Sequence, residues 1–186
     1  MRNRLFRSSA VAAAVFVAAA TQGYGQFAAT GTSTVSVAVA PESAISVTTA
    51  TTSLTEASGA GVFGAPYTGT TNFSYKVRST KVGGGGTITV KLTADFGVGG
   101  PSVTTPAAGD ALTYTCTAAV SAAACAGPVT ASTAASTTVA TFATDAHSTP
   151  GAGSSDAGTV VWKLPNDPLY KTGTYTATAT FTISAT

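Results

Sequence analysis

Apolar and polar side chains alternate along most of this chain. Residues 33–39 (STVSVAV) place Val35, Val37 and Val39 on one face. Pro41 and Glu42 interrupt the pattern, which resumes with Ile45 and Val47. Residues 71–79 (TNFSYKVRS) set Phe73, Tyr75 and Val77 against Ser74, Lys76 and Arg78. Residues 87–96 (TITVKLTADF) set Ile88, Val90 and Leu92 against Thr89, Lys91 and Thr93. A two-residue period is the mark of half-buried strands. The glycine run 83–86 between the last two segments reads as a wide loop, so they are expected to form an antiparallel hairpin.

Further strands are predicted around Leu112, Tyr114 and Cys116, more weakly around Val139 and Phe142, and at Val160, Trp162 and Leu164. Residues 50–70 read as looser, punctuated by Gly59, Gly61, Gly64 and Pro66, and residues 145–157 read as a Ser/Gly/Pro loop. Residues 118–126 are compatible with a helical turn. The chain closes on residues 173–186 (GTYTATATFTISAT), where Tyr175, Ala177, Ala179, Phe181 and Ile183 alternate with Thr. Roughly eight strands and almost no amphipathic helix predict an all-β fold. The expected architecture is a single antiparallel β-sandwich, Ig-like in the broad sense, with a jelly roll as the alternative.

The first residues follow a different rule. Arg2, Arg4 and Arg7 precede a short apolar run at residues 10–20, and Gly23-Tyr24-Gly25 offers a cleavage site. Residues 1–25 therefore read as a secretory signal peptide, with cleavage after Ala20 as the alternative. The apolar run is shorter than the ~20 residues of a membrane span, and no second stretch is long enough, so no transmembrane segment is expected in the mature chain. Residues 26–186 form the expected domain, with residues 26–49 as a donor or edge-strand segment. The expected location is extracellular, at the cell surface or in the periplasm.

Loss of the leader changes the electrostatics. The whole chain has 9 basic and 7 acidic residues; without the three leader arginines, 6 face 7. A mature chain this close to neutral lacks the basic footprint of a nucleic-acid binder. Thr is abundant instead, with 35 in residues 26–186, and Thr suits pleated, half-exposed surfaces. Low net charge makes self-association more favourable. Cys116 and Cys125, an even pair in an exported chain, are expected to form one structural disulfide.

Candidate chemistry is sparse. His147, the single histidine, sits near Asp145 and Ser148, without the G-x-S-x-G elbow of a hydrolase nucleophile. The acids Glu42, Glu56, Asp95, Asp110, Asp145, Asp156 and Asp167 are dispersed, and no metal-binding spacing nominates a set of them. No catalytic residue, metal ligand or cofactor is expected. Tyr67, Trp162 and Tyr170 are candidate sugar-contacting aromatics, although the register of Trp162 with Val160 and Leu164 favours the core.

The two ends of the mature chain resemble those of bacterial pilins assembled by the chaperone–usher route, which are Ig-like fimbrial subunits. Gly173 stands fourteenth from the end, followed by the alternation through Tyr175, Phe181 and Ile183. Val35, Val37 and Val39, with Gly31 in the same register, are similar to the family's N-terminal extension. The family's frequent penultimate Tyr is Ala185 here, and the two cysteines lie late in the chain. The resemblance implies that Val35, Val37, Val39, Gly173, Tyr175, Phe181 and Ile183 take part in strand exchange. It also implies copies of the same chain and an assembly chaperone as partners. A local account stands beside it, in which residues 35–39 pair with residues 45–47 across Pro41. The leading functional expectation is a non-enzymatic structural protein of the cell surface, a fimbrial or pilus subunit. The alternatives are a self-contained adhesion or carbohydrate-binding module and, further off, an exported hydrolase.

Overall fold

The structure, a computed structural model, describes residues 30–56, 63–119, 121–151 and 155–186. The expected leader and both expected cleavage sites lie outside these residues, as do Gly59 and Gly61. The chain divides after Val37. Residues 30–37 carry no helix or strand.

From Ala38 onward the fold is all-β. Its strands are β1 (Glu42–Val47), β2 (Thr55–Glu56), β3 (Tyr67–Arg78), β4 (Gly86–Ala94), β5 (Thr113–Thr117), β6 (Ala123–Ala124), β7 (Val129–Thr130), β8 (Thr137–Phe142), β9 (Asp156–Leu164) and β10 (Thr178–Ala185). One antiparallel sheet runs β1-β3-β9-β5-β7, with β2 also on β3. The other runs β10-β4-β8-β6. The sheets pack face to face as a sandwich, the expected architecture.

Six of the ten strands follow the order of an immunoglobulin sandwich, whereas β8, which pairs with β4 but falls between β5 and β9 in the chain, has no counterpart in it. In chain order β1, β3, β5 and β9 take the places of strands A, B, D and E, and give the spatial order A-B-E-D. β4 and β10 take the places of C and F in the facing sheet. An immunoglobulin domain has a seventh strand beyond F. Among the described residues β10 has no neighbour there.

The alternating residues build the core. Phe73, Tyr75 and Val77 from β3 meet Ile88, Val90 and Leu92 from β4, with Tyr114, Val139, Phe142, Val160, Trp162 and Leu164 closing around them. Tyr75 lies 5.7 Å from Phe142 across the layers, and within one sheet Tyr114 meets its ladder partner Trp162 edge-on at 5.3 Å. Trp162 is 5% exposed, and its indole N–H donates to Thr71 Oγ1 at 2.8 Å. Gly158 lies opposite Phe73 in the β3–β9 register. The Phe73 ring covers the space that a Cβ on Gly158 would occupy.

Three expectations change. β3 and β4 do not form a hairpin: they belong to different sheets, and residues 79–85 cross between them. Ser79 anchors this crossing, its hydroxyl donating to Ala143 O at 2.9 Å and accepting from Ala146 N–H at 2.8 Å. Residues 35–39 carry no strand. Instead β1 pairs along its whole length with β3, Glu42 opposite Arg78 and Val47 opposite Phe73. Arg78 fixes the entry to β1, donating from Nε to Ala40 O at 2.9 Å and pairing with Glu42 at 3.1 Å. Finally, the region read as a helical turn carries the two-residue strand β6, whose Ala124 pairs with Ala140 of β8.

The expected disulfide joins Cys116 to Cys125. Cys116 lies on β5, and Cys125 follows β6, its N–H donating to Val139 O at 2.9 Å. The bond thus ties one sheet to the other on the side away from β1 and β10.

Candidate assembly edge

The side of the sandwich opposite the disulfide is bounded by two edge strands, β1 in one sheet and β10 in the other, lying close to each other. Among the described residues β10 is bound on one flank only, by β4, with Phe181 opposite Val90 and Ile183 opposite Ile88. A register shift at Thr178/Ala179 marks its start. Ala179, Phe181, Ile183 and Ala185 point inward but remain half-buried, while Thr178, Thr180, Thr182 and Ser184 are exposed. The Phe181 ring lies 5.7 Å from Phe73 across the sandwich. A central strand buries its inner row fully, as β4 does with Ile88, Val90 and Leu92. The half-burial of the β10 row follows from the missing neighbour.

The end of the chain is held firmly. Thr186 N–H donates to Gly85 O at 2.8 Å, and Thr186 O accepts from Thr80 N–H at 2.9 Å and from Gly85 N–H at 3.2 Å. A Cβ on Gly84 would collide with the carbonyl oxygens of Thr80 and Thr186. The glycine run read as a flexible loop is therefore a fitted one, in which the backbone wraps closely around the last residue.

The strand-exchange candidates fall into three places. Phe181 and Ile183 lie on the half-buried face of β10. Gly173 and Tyr175 precede the strand, which begins only at Thr178. Tyr175 packs on Gly100 instead, and its hydroxyl donates to Lys171 O at 2.8 Å. Val35, Val37 and Val39 lie outside any strand and are 92%, 84% and 62% exposed. Each of these exposed valines forgoes about 1.5–3 kcal/mol of burial.

The chemistry-bearing residues lie elsewhere. His147 is exposed, with Nδ1 2.7 Å from Asp145 O, and the Ser148 hydroxyl accepts from Val77 N–H at 2.9 Å. Asp156 is buried and accepts from Thr149 Oγ1 at 2.9 Å and from the Ser121 hydroxyl. Burial alone would raise its pKa, but these donors hold the carboxylate below its ordinary value. Ser121 in turn meets Tyr75 Oη at 3.1 Å. Trp162 is core, and Tyr67 and Tyr170 are half-buried against it. No helix among the described residues is long and apolar enough to cross a membrane.

Alternation was the signal for Phe181 and Ile183. The open flank of β10 had no local signal, since it depends on which strands become neighbours. Compared with known proteins, the chain matches no family model, no curated protein and no solved structure.

Proposed function

We propose that this is an exported, non-enzymatic structural protein of the cell surface, a fimbrial-type subunit that joins its copies by strand addition. In this reading residues 33–39 of one copy lie along the open flank of β10 in the next. The observation that carries it is the pairing of two incomplete features. β10 offers unpaired backbone and a half-buried Phe181/Ile183 row, while Val35, Val37 and Val39 offer an unburied apolar row of the same period. Main-chain hydrogen bonds supply affinity in such an addition, and alternate side chains supply register. The lengths agree: residues 33–39 span roughly 23 Å when extended and the eight residues of β10 roughly 26 Å. The added strand takes the place of the seventh immunoglobulin strand.

An open edge also invites wrong pairing, so a dedicated chaperone that covers β10 until assembly fits this design. Export agrees with the charged and apolar leader pattern and with the disulfide. A carbohydrate-binding role has less support, because Trp162, the largest candidate aromatic, is inside the core.

Light scattering of the secreted protein tests the reading. The intact chain is expected to give high-mass species, and deletion of residues 26–40 to leave folded monomer. Val37→Asp, which keeps the leader and its cleavage region, is expected to shift the distribution to monomer as well. An intact chain that stays monomeric, or high-mass species unaffected by both changes, refutes strand addition through this segment.

A further inference from the structure

The margin opposite the disulfide holds a second edge, the outer flank of β1. The hydrogen bonds of β3 fix which way the β1 backbone points. Val77 uses both of its backbone groups on Ser148: its N–H donates to Ser148 Oγ and its carbonyl accepts from Ser148 N–H, each at 2.9 Å. On the opposite flank of β3, Asn72 O accepts from Thr48 N–H at 2.9 Å. Successive residues of a strand turn their backbone groups to opposite flanks. Ser74, Lys76 and Arg78 therefore face β1, and their ladder partners Ser46, Ala44 and Glu42 face back. Ser43, Ile45 and Val47 are left with N–H and carbonyl groups directed along the open flank. Among the described residues none hydrogen-bonds to these groups.

This edge lacks the devices that keep edges apart. At the disulfide margin the edge strands β6 and β7 are only two residues long, and very short edges resist pairing. β10 opens with a register shift. β1 has six residues in unbroken register with β3 and holds neither Lys nor Pro. Its one charge, Glu42, is paired with Arg78 at 3.1 Å. Ile45 is only half-buried and Val47 is 41% exposed. The flank is thus incomplete in side chains as well as in backbone.

We propose that β1 joins two copies of this chain, antiparallel to each other about a twofold axis at Ile45. An open edge takes a strand as its occupant, and the β1 sequence fits a second copy of itself. With Ile45 opposite Ile45, the outward groups of Ser43 meet those of Val47 in the second copy, and each such pair exchanges both of its N–H···O bonds. A one-residue slip sets outward groups against inward ones. A two-residue slip sets Pro41, which has no N–H, against Val47, or Thr49, whose N–H already donates to Asn72 O, against Ser43. The side chains agree with the centred register. Ile45 meets Ile45, and the exposed Ala44 and Ser46 meet each other. Glu42 falls opposite Thr48, so no like charges face each other. Such an interface is isologous and closes at two copies. The hydrogen bonds of so short a run do not outweigh the cost of association between free monomers in dilute solution. Pairing becomes firm where copies are held close together, as in a surface layer.

Cross-linking tests this register. Ala44→Cys and Ser46→Cys are made separately in the Val37→Asp chain, which keeps assembly through the N-terminal segment out of the readout. Across the twofold axis positions 44 and 46 form a non-hydrogen-bonded pair, with Cα atoms ~4.5 Å apart and within disulfide reach. In either variant alone the two thiols lie about 7–8 Å apart on the diagonal. Mild oxidation of the concentrated mixture is expected to give roughly tenfold more covalent dimer than either variant alone. Val47→Pro removes an N–H on the open flank and leaves the ladder to β3 intact. Added to both variants, it is expected to bring the yield of the mixture down to that of its components while the chain stays folded. A mixture that cross-links no better than its components overturns the proposal, as does a yield that Val47→Pro leaves unchanged. High-mass species that persist in the Val37→Asp chain refute strand addition through the N-terminal segment, and the ratio of yields, measured on one background, still decides the pairing at β1.

Discussion

Asp95 closes the end of β4 with one carboxylate. Its Oδ1 accepts from Phe96 N–H and Val103 N–H, both at 2.8 Å, and its Oδ2 accepts from Thr104 N–H and the Ser102 hydroxyl, both at 3.0 Å. These four donors fold residues 96–104 back and seat Val103 in the core. Asp95→Asn keeps the shape but places an NH₂ where two donors converge. The cost follows from the titration. Burial pushes the Asp95 pKa up, but the N–H groups of Val103, Thr104 and Phe96 overcome it and lower the value from 3.8 to about 2. At about 1.36 kcal/mol per pH unit that difference is near 2.4 kcal/mol, and partial exposure to solvent reduces it to about 1–2 kcal/mol. Adding the misplaced NH₂ gives a loss of about 2 kcal/mol, or roughly 4–8 °C in Tm.

The pH dependence is the sharper part of this prediction. A depressed carboxyl pKa stabilises the fold above its unfolded value and ceases to do so as pH falls through its folded value. The gap between wild type and Asp95→Asn should therefore be full above pH ~4, shrink from there to pH ~2, and close to the residual NH₂ penalty below that. Urea unfolding of both proteins across this range measures it. A gap that stays constant with pH, or equal stability of the two near pH ~7, would refute the assignment of the loop to an ionised carboxylate.

Two further outcomes are expected. Gly158→Ala should cost about 1–3 kcal/mol in thermal unfolding, because the new Cβ would come within 2.6 Å of Phe73 Cε2 and 3.0 Å of Thr117 O; an unchanged Tm would mean that the Phe73 ring can give way. Trp162→Phe should cost about 1–3 kcal/mol in thermal unfolding, since the indole N–H holds Thr71 Oγ1, which contacts Thr52 Oγ1 at 2.6 Å; an unchanged Tm would count against that relay.

The sequence made some of this legible and hid the rest for identifiable reasons. Alternation at Phe73-Tyr75-Val77 and at Ile88-Val90-Leu92 reported which side chains turn inward, because the pleat has a period of two. It did not report which strand pairs with which, so a sheet-to-sheet crossing held by buried Ser79 was read as a hairpin. Residues 35–39 and 43–47 look alike in pattern. Only the second run became a strand, and Arg78, far away in sequence, fixes where it begins. Tyr175 continues the alternation of β10 on paper, but Gly100 offers its ring a seat before the strand starts. Strands β2, β6 and β7, each two residues long, are too short to leave a period.

The placement of the single disulfide shapes how the molecule can move. Cys116 and Cys125 bind the layers together along one margin, and nothing covalent binds them along the other. The sandwich is thus like a book stitched at its spine: at the fore-edge, where the C-terminal ribbon lies, the leaves are kept together by ring packing and the backbone clasp of Thr186, without a covalent tie.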